Sequence, residues 1–160
     1  MKEFEIGLLR NFSRHEKDIS GRQIFHAFEE IDNELMHRID LAVSFAKEVY
    51  GEERGAFIVH DINLGKHSRD SLHNIGKAID GHFRGINLFQ ASMILLKMNF
   101  NGLGIYPDWK NKGIHADIRV QDHVSTWVCH RNEYIYDWNY FVEQLEMEME
   151  CPANDGKVYN

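Results

Sequence analysis

The sequence predicts an α+β domain in which helices pack on one side of a small antiparallel sheet. Two observations predict this class: apolar residues recur at helical spacing in three segments, and other short segments are β-branched or alternate strictly. No repeat and no linker rich in Pro, Gly or Ser divides the 160 residues. We therefore expect one domain over residues 1–136, followed by a helical extension and tail over residues 137–160.

The helices are predicted from the 3.6-residue period. An apolar stripe over residues 22–50 favours one helix or two consecutive helices, and Gly51 is a plausible stop. A second helix is predicted over residues 87–98 and a third over residues 137–149. We expect the third helix to pack its apolar face back on the domain.

The strands are predicted from composition and alternation. AFIVHDINL, residues 56–64, is apolar and β-branched as a buried strand should be, and residues 77–80 are short and apolar enough for another. GIHADIRV, residues 113–120, alternates, which sends two sets of side chains to opposite faces. One set is Ile114, Ala116, Ile118 and Val120, and the other is His115, Asp117 and Arg119.

Charge and hydropathy exclude several classes of protein. The chain has 25 acidic against 18 basic residues and no Lys/Arg cluster, so we expect no nucleic-acid partner. No apolar run approaches the roughly 18 residues of a membrane-spanning helix, and the first residues lack the basic head of a secretory signal. We expect a cytoplasmic protein, as synthesised, whose two cysteines are free thiols.

One segment concentrates residues that could bind a metal. In SLHNIGKAID, residues 71–80, His73 lies in a loop and Asp80 lies on the strand that follows. These two side chains could converge on one ion, and His115 could supply a third ligand from the polar face of its strand. Two imidazoles and a carboxylate suit zinc and leave a fourth position for water.

The same segment resembles the SxHxxGxAxD signature of the M15 zinc peptidases, the D-Ala-D-Ala carboxypeptidase group, and in particular their small single-domain branch. NFSRHE at residues 11–16, NGLGIYPDWKNKGIHADIR at residues 101–119 and Thr126-Trp127 are similar to further blocks of that branch, in the same order. The resemblance covers about residues 8 to 130.

The resemblance implies a zinc ion held by His73, Asp80 and His115 in a fold shared with hedgehog-like and lysostaphin-like peptidases. It implies a metallopeptidase whose partner is the peptide of bacterial peptidoglycan, cleaved as a carboxypeptidase or an endopeptidase, including the endolysins of phages. Because no export signal is visible, we expect such an enzyme to reach the cell wall through a holin pore or in a phage particle.

One departure concerns the general base. Many members of the family carry an acid three positions before the third ligand, where this chain has Lys112. Asp117 shares the strand face of His115, so it is either the base or an acceptor that orients the ligand histidine. Arg119, on the same face, could pair with an acid or grip a substrate carboxylate. Tyr106 could donate to an oxyanion or be a half-buried turn tyrosine.

A second departure concerns the substrate. The arginine-containing turn that often precedes the family signature is absent, so Lys66 or Arg69 could supply the charge for a substrate carboxylate, or be solvated loop charges. Ser71 is predicted to contact substrate and not to act as a nucleophile. The rival hypothesis, favoured by Lys112, is a non-catalytic zinc module that binds wall peptide or a partner protein, for example a phage structural protein.

Overall fold

Three α-helices lie in the parts of the chain that the computed structural model describes, which are residues 6–13, 15–24, 30–63 and 65–152. They are α1 (Asn33–Tyr50), α2 (Leu88–Lys97) and α3 (Trp138–Met149). Each follows a side chain that accepts a backbone N–H of the first turn, namely Asp32, Asn87 and Asp137. The second and third predicted helices are thereby confirmed.

Residues 22 and 23 are not helical, so the predicted start at residue 22 is wrong, while residues 25–29 of the same stripe lie outside the described residues. The Asp18 carboxylate accepts the backbone N–H groups of Ser20 and Arg22, which closes a turn there. The helix begins instead at Asn33. It ends at Gly51, as predicted, where φ is 98° and a glycine is favoured.

Six strands form one sheet in the order β1-β2-β4-β3-β5-β6. Their bounds are β1 (Phe57–Asp61), β2 (Ala78–Phe83), β3 (Gly102–Tyr106), β4 (Gly113–Asp117), β5 (Ser125–His130) and β6 (Glu133–Ile135). The α+β class is confirmed. The sheet differs from the predicted antiparallel one at a single pair, since β5 runs parallel to β3. The chain returns after β4 to the start of β3, where Ser125 donates to the carbonyl of Asn101.

One face of the sheet meets the helices in a hydrophobic core. The sheet contributes Ile79, Phe83, Leu103, Ile105, Ile114, Ala116 and Val128. Phe141 and Leu145 of α3 join the same core, so this helix packs on the domain as predicted. The alternation predicted through residue 120 ends with β4 at Asp117, and Val120 is 98% exposed. Among the described helices, none combines the length and apolarity needed to cross a membrane.

Candidate metal centre

The opposite face of the sheet brings together the three residues predicted to bind a metal. Asp80 on β2 lies opposite His115 on β4 in the strand register. His73 belongs to a short 3-10 helix, Leu72–Ile75, which ends immediately before β2 at Gly76 with a left-handed φ of 64°. Only glycine fits at that turn, because a Cβ there would lie 1.8 Å from the carbonyl oxygen of Glu30.

The three side chains converge on one point. His73 Nε2 lies 3.2 Å from His115 Nδ1 and 3.4 Å from Asp80 Oδ2. Asp80 Oδ1 lies 2.8 Å from the same His115 nitrogen. All three residues are buried, and one ligand atom from each lies within 4.8 Å of the others. This group could therefore hold a metal ion.

The outer hydrogen bonds of the two histidines fit a metal site. His73 Nδ1 donates to the carbonyl of Ile62, and His115 Nε2 donates to Asp117 Oδ2 at 3.0 Å. With those nitrogens protonated, His73 Nε2 and His115 Nδ1 direct lone pairs towards Asp80. Such outer partners fix the tautomer of a ligand histidine and orient its ring. Two lone pairs and a carboxylate in contact require a cation or a proton between them.

The electrostatics of the metal-free chain favour positive charge at this point. Burial lowers the pKa of His115, but hydrogen bonds to Asp117 and Asp80 outweigh it and raise the pKa to about 9. Burial raises the pKa of Asp80, but hydrogen bonds from His115 and His73 outweigh it and hold the pKa well below its usual range. The centre thus binds a proton strongly when no cation is present.

Asp117 lies behind His115 and is fully buried. Its Oδ2 contacts His115 Nε2 and Arg119 Nη2, the latter at 2.6 Å, and its Oδ1 accepts from Arg119 Nε at 2.8 Å. Hydrogen bonds from Arg119 and His115 outweigh burial and lower the pKa of Asp117 to about 2. Of the two predicted roles, this arrangement favours the acceptor that orients a ligand histidine, with Arg119 as its ion-pair partner.

Lys112 is in an ion pair with α3, whereas Tyr106 is buried against Trp109. Lys112, the residue before β4, has its Nζ 2.7 Å from Glu148 Oε1, so this ion pair links the start of β4 to α3. Tyr106 is 5% exposed and its ring stacks on Trp109 with centroids 4.0 Å apart. Burial raises the pKa of the Tyr106 phenol far above its ordinary value, so this group stays protonated.

A cleft of about 780 Å³ opens over the three candidate ligands. Of the residues predicted to contact substrate, Lys66 and Ser71 line this cleft, whereas Arg69 is exposed and does not. Tyr106, the predicted oxyanion donor, also lines it. The Ser71 hydroxyl also accepts the backbone N–H of His73 at 3.3 Å, so it caps the 3-10 helix that presents this candidate ligand.

Three glycines on this face make room for the side chains around the centre. A Cβ at Gly102 would lie 2.1 Å from Asp117 Oδ2, and a Cβ at Gly104 would lie 2.3 Å from the Trp127 ring. A Cβ at Gly113 would lie 2.4 Å from the Trp109 ring. Each glycine lets a larger neighbouring side chain lie across the sheet.

Sequence reasoning assigned no role to Asp61 and His67. The His67 ring stacks on His73 with centroids 4.2 Å apart and planes 6° apart, and it lines the cleft. Its Nε2 lies 3.0 Å from Asp61 Oδ2, yet this buried nitrogen makes no well-directed hydrogen bond with the described residues. The density of histidines over residues 60–82 was the only sequence signal, and it does not say which histidines meet.

Comparison with known proteins finds no relative of this chain. No family model, no curated protein and no solved structure matches the chain. The resemblance to the M15 peptidases therefore stays a prediction from the ordered sequence motifs.

Proposed function

We propose that this protein is a zinc-dependent peptidase that hydrolyses the stem peptides of peptidoglycan. The observation that carries the proposal is the convergence of His73 Nε2, Asp80 and His115 Nδ1 beneath an open cleft. Two neutral imidazoles and one carboxylate are a donor set that zinc accepts, and three protein ligands leave a position for water. The ordered sequence motifs supply the substrate class.

A bound zinc ion would polarise the scissile carbonyl and lower the pKa of water. Residues behind the candidate ligands would orient them for this reaction. Ile62 and Asp117 fix the ligand tautomers from behind, and Arg119 keeps Asp117 ionised. Hydrolysis adds the water oxygen to the carbonyl carbon, breaks the C–N bond and returns the water proton to the leaving nitrogen.

That proton needs a carrier in the cleft, and His67 is suited to the role. Its ring lies against His73, next to the reacting position, and the adjacent Asp61 carboxylate would stabilise the imidazolium formed when the ring accepts a proton. Asp117 is less suited, because both of its oxygens already accept hydrogen bonds. Tyr106, as a neutral phenol on the cleft wall, could donate to the developing oxyanion.

Zinc binding is tested first, by metal analysis of purified protein and by thermal melts with added zinc. We expect one zinc per chain, lost in His73→Ala and His115→Ala and retained in the matched control His123→Ala, which alters an exposed histidine. A chain that binds no zinc would overturn the proposal.

Hydrolysis is tested by incubating the zinc-loaded protein with purified peptidoglycan and identifying the released fragments by mass spectrometry. New amine termini are expected. In His67→Gln, zinc should remain while the rate falls roughly 10²- to 10⁴-fold, as for loss of a general acid–base group. Bound zinc without new amine termini would refute the peptidase and favour the rival, non-catalytic zinc module.

A further inference from the structure

Two exposed tyrosines continue the sheet face that carries the candidate metal centre. The register runs from Asp80 to His115, Gly104 and Trp127 across β2, β4, β3 and β5. It continues to Tyr136, one residue beyond the end of β6, because Val128 lies opposite Ile135. Tyr134, two residues earlier, occupies the same face. Both tyrosines line the cleft, so its floor leads from the metal ligands to the edge of the sheet.

The two rings form an open aromatic platform. Tyr134 is 53% exposed and Tyr136 is 74% exposed, which is high for aromatic side chains beside a cleft. Their planes are 19° apart with centroids at 6.4 Å, and the Trp127 ring lies 6.1 Å from Tyr136. Aromatic faces with a hydroxyl at one edge suit a ligand that has both C–H faces and polar groups.

The distance from the metal ligands indicates what such a ligand is. Three strand spacings separate β4 from β6, which is ~14 Å. An extended peptide covers that distance with about four residues. In peptidoglycan the amino end of the stem peptide is attached to an amino sugar. A stem peptide with its fourth or fifth residue at the metal centre would therefore bring that sugar to β6.

We propose that Tyr134 and Tyr136 form a saccharide-binding platform that holds the amino sugar carrying the cleaved peptide. This inference rests on the proposed function, because it takes the substrate to be a glycan-linked peptide. Pyranose rings present C–H faces that pack on tyrosine rings, and their hydroxyl and amide groups hydrogen-bond to the phenols. The enzyme would then prefer peptide that is still attached to glycan over the free stem peptide.

The test compares a soluble disaccharide-peptide with the free peptide of the same sequence, by binding and by kcat/KM. We expect the native protein to prefer the disaccharide-peptide on the order of tenfold, and Tyr134→Ala and Tyr136→Ala to remove most of that preference. Trp138→Ala is the matched control, since Trp138 is a 55% exposed aromatic that does not line the cleft. Because all three positions are exposed, the variants should fold as the native protein does.

Two results would overturn the platform. If the tyrosine variants weaken binding of the free peptide as much as binding of the disaccharide-peptide, the rings bind the peptide and not the sugar. If the variants change the affinity for neither ligand, the rings have no binding role.

Binding of a peptide-free chitooligosaccharide separates this inference from the proposed function. Tyrosine-dependent binding of the oligosaccharide without hydrolysis of any substrate would leave the platform standing and reject the peptidase. Hydrolysis at the same rate in the native protein and in both tyrosine variants would support the peptidase and reject the platform.

Discussion

Replacing Asp117 by asparagine tests how the outer residues support the candidate metal centre. The substitution keeps the size of the side chain but replaces a buried, ionised acceptor by a neutral one. Hydrogen bonds to charged groups contribute about 1.5–3 kcal/mol and neutral ones about 0.5–1.5 kcal/mol. In Asp117→Asn the hydrogen bond from His115 Nε2, which is 3.0 Å long in the native protein, should be weaker by about 1–1.5 kcal/mol. We therefore expect the zinc Kd to rise on the order of tenfold, within the range measured for such outer partners.

The assay is competition for zinc against a chromophoric chelator, at fixed pH and on protein whose thermal melt shows a folded state. Asp108→Asn is the matched control, because Asp108 also contacts a histidine, His130 at 2.8 Å, but does not line the cleft. Native zinc affinity in Asp117→Asn, combined with a large loss of hydrolysis, would refute the reasoning. Asp117 would then be a group that moves protons, not one that orients His115.

Three further predictions concern stability. Gly104→Ala places a Cβ 2.3 Å from the Trp127 ring and should destabilise the fold by about 1–3 kcal/mol in urea melts; an unchanged midpoint would contradict the packing. Phe141→Ala should cost about 3–5 kcal/mol, and a much smaller loss would mean that α3 is not part of the core. The hydrogen bond to Asp108 raises the pKa of His130, so this pair should stabilise the fold below about pH 6.5 and lose that effect as pH rises through the raised pKa. An NMR titration of His130 that gives an ordinary or lower pKa would reject this.

Elements with local signals were predictable from the sequence. The start of α2 is fixed by a capping box, in which the side chains of Asn87 and Gln90 each accept a backbone N–H from the other residue. The residues alone placed Asp80 and His115 on two strands that could converge, and the family resemblance named both as ligands. His73 was predictable from the short glycine-ended segment before the first of those strands.

The missed strands depend on contacts that a sequence window does not contain. Gly102 and Gly104 make β3 look like a turn, yet both are needed because side chains from β4 and β5 lie across them. The β5–β6 hairpin turns at Arg131 and Asn132, both with positive φ, so it lacks the glycine that usually marks such a turn. The role of Asp117 was open for a similar reason. The alternation along its strand predicts which face of the sheet it lies on, but not which atoms its carboxylate contacts.

The residue three positions before His115 contributes to packing and not to the proposed reaction. Lys112 is committed to Glu148 on α3, so it supplies cohesion between strand and helix and no proton acceptor near the ligands. A reaction in the cleft must then take its proton carrier from another element. Asp61, the last residue of β1, contacts His67, and the segment between β1 and β2 carries both His67 and His73. Metal binding would use His73 of this segment and proton transfer would use His67, so His67→Gln should lower turnover without removing zinc.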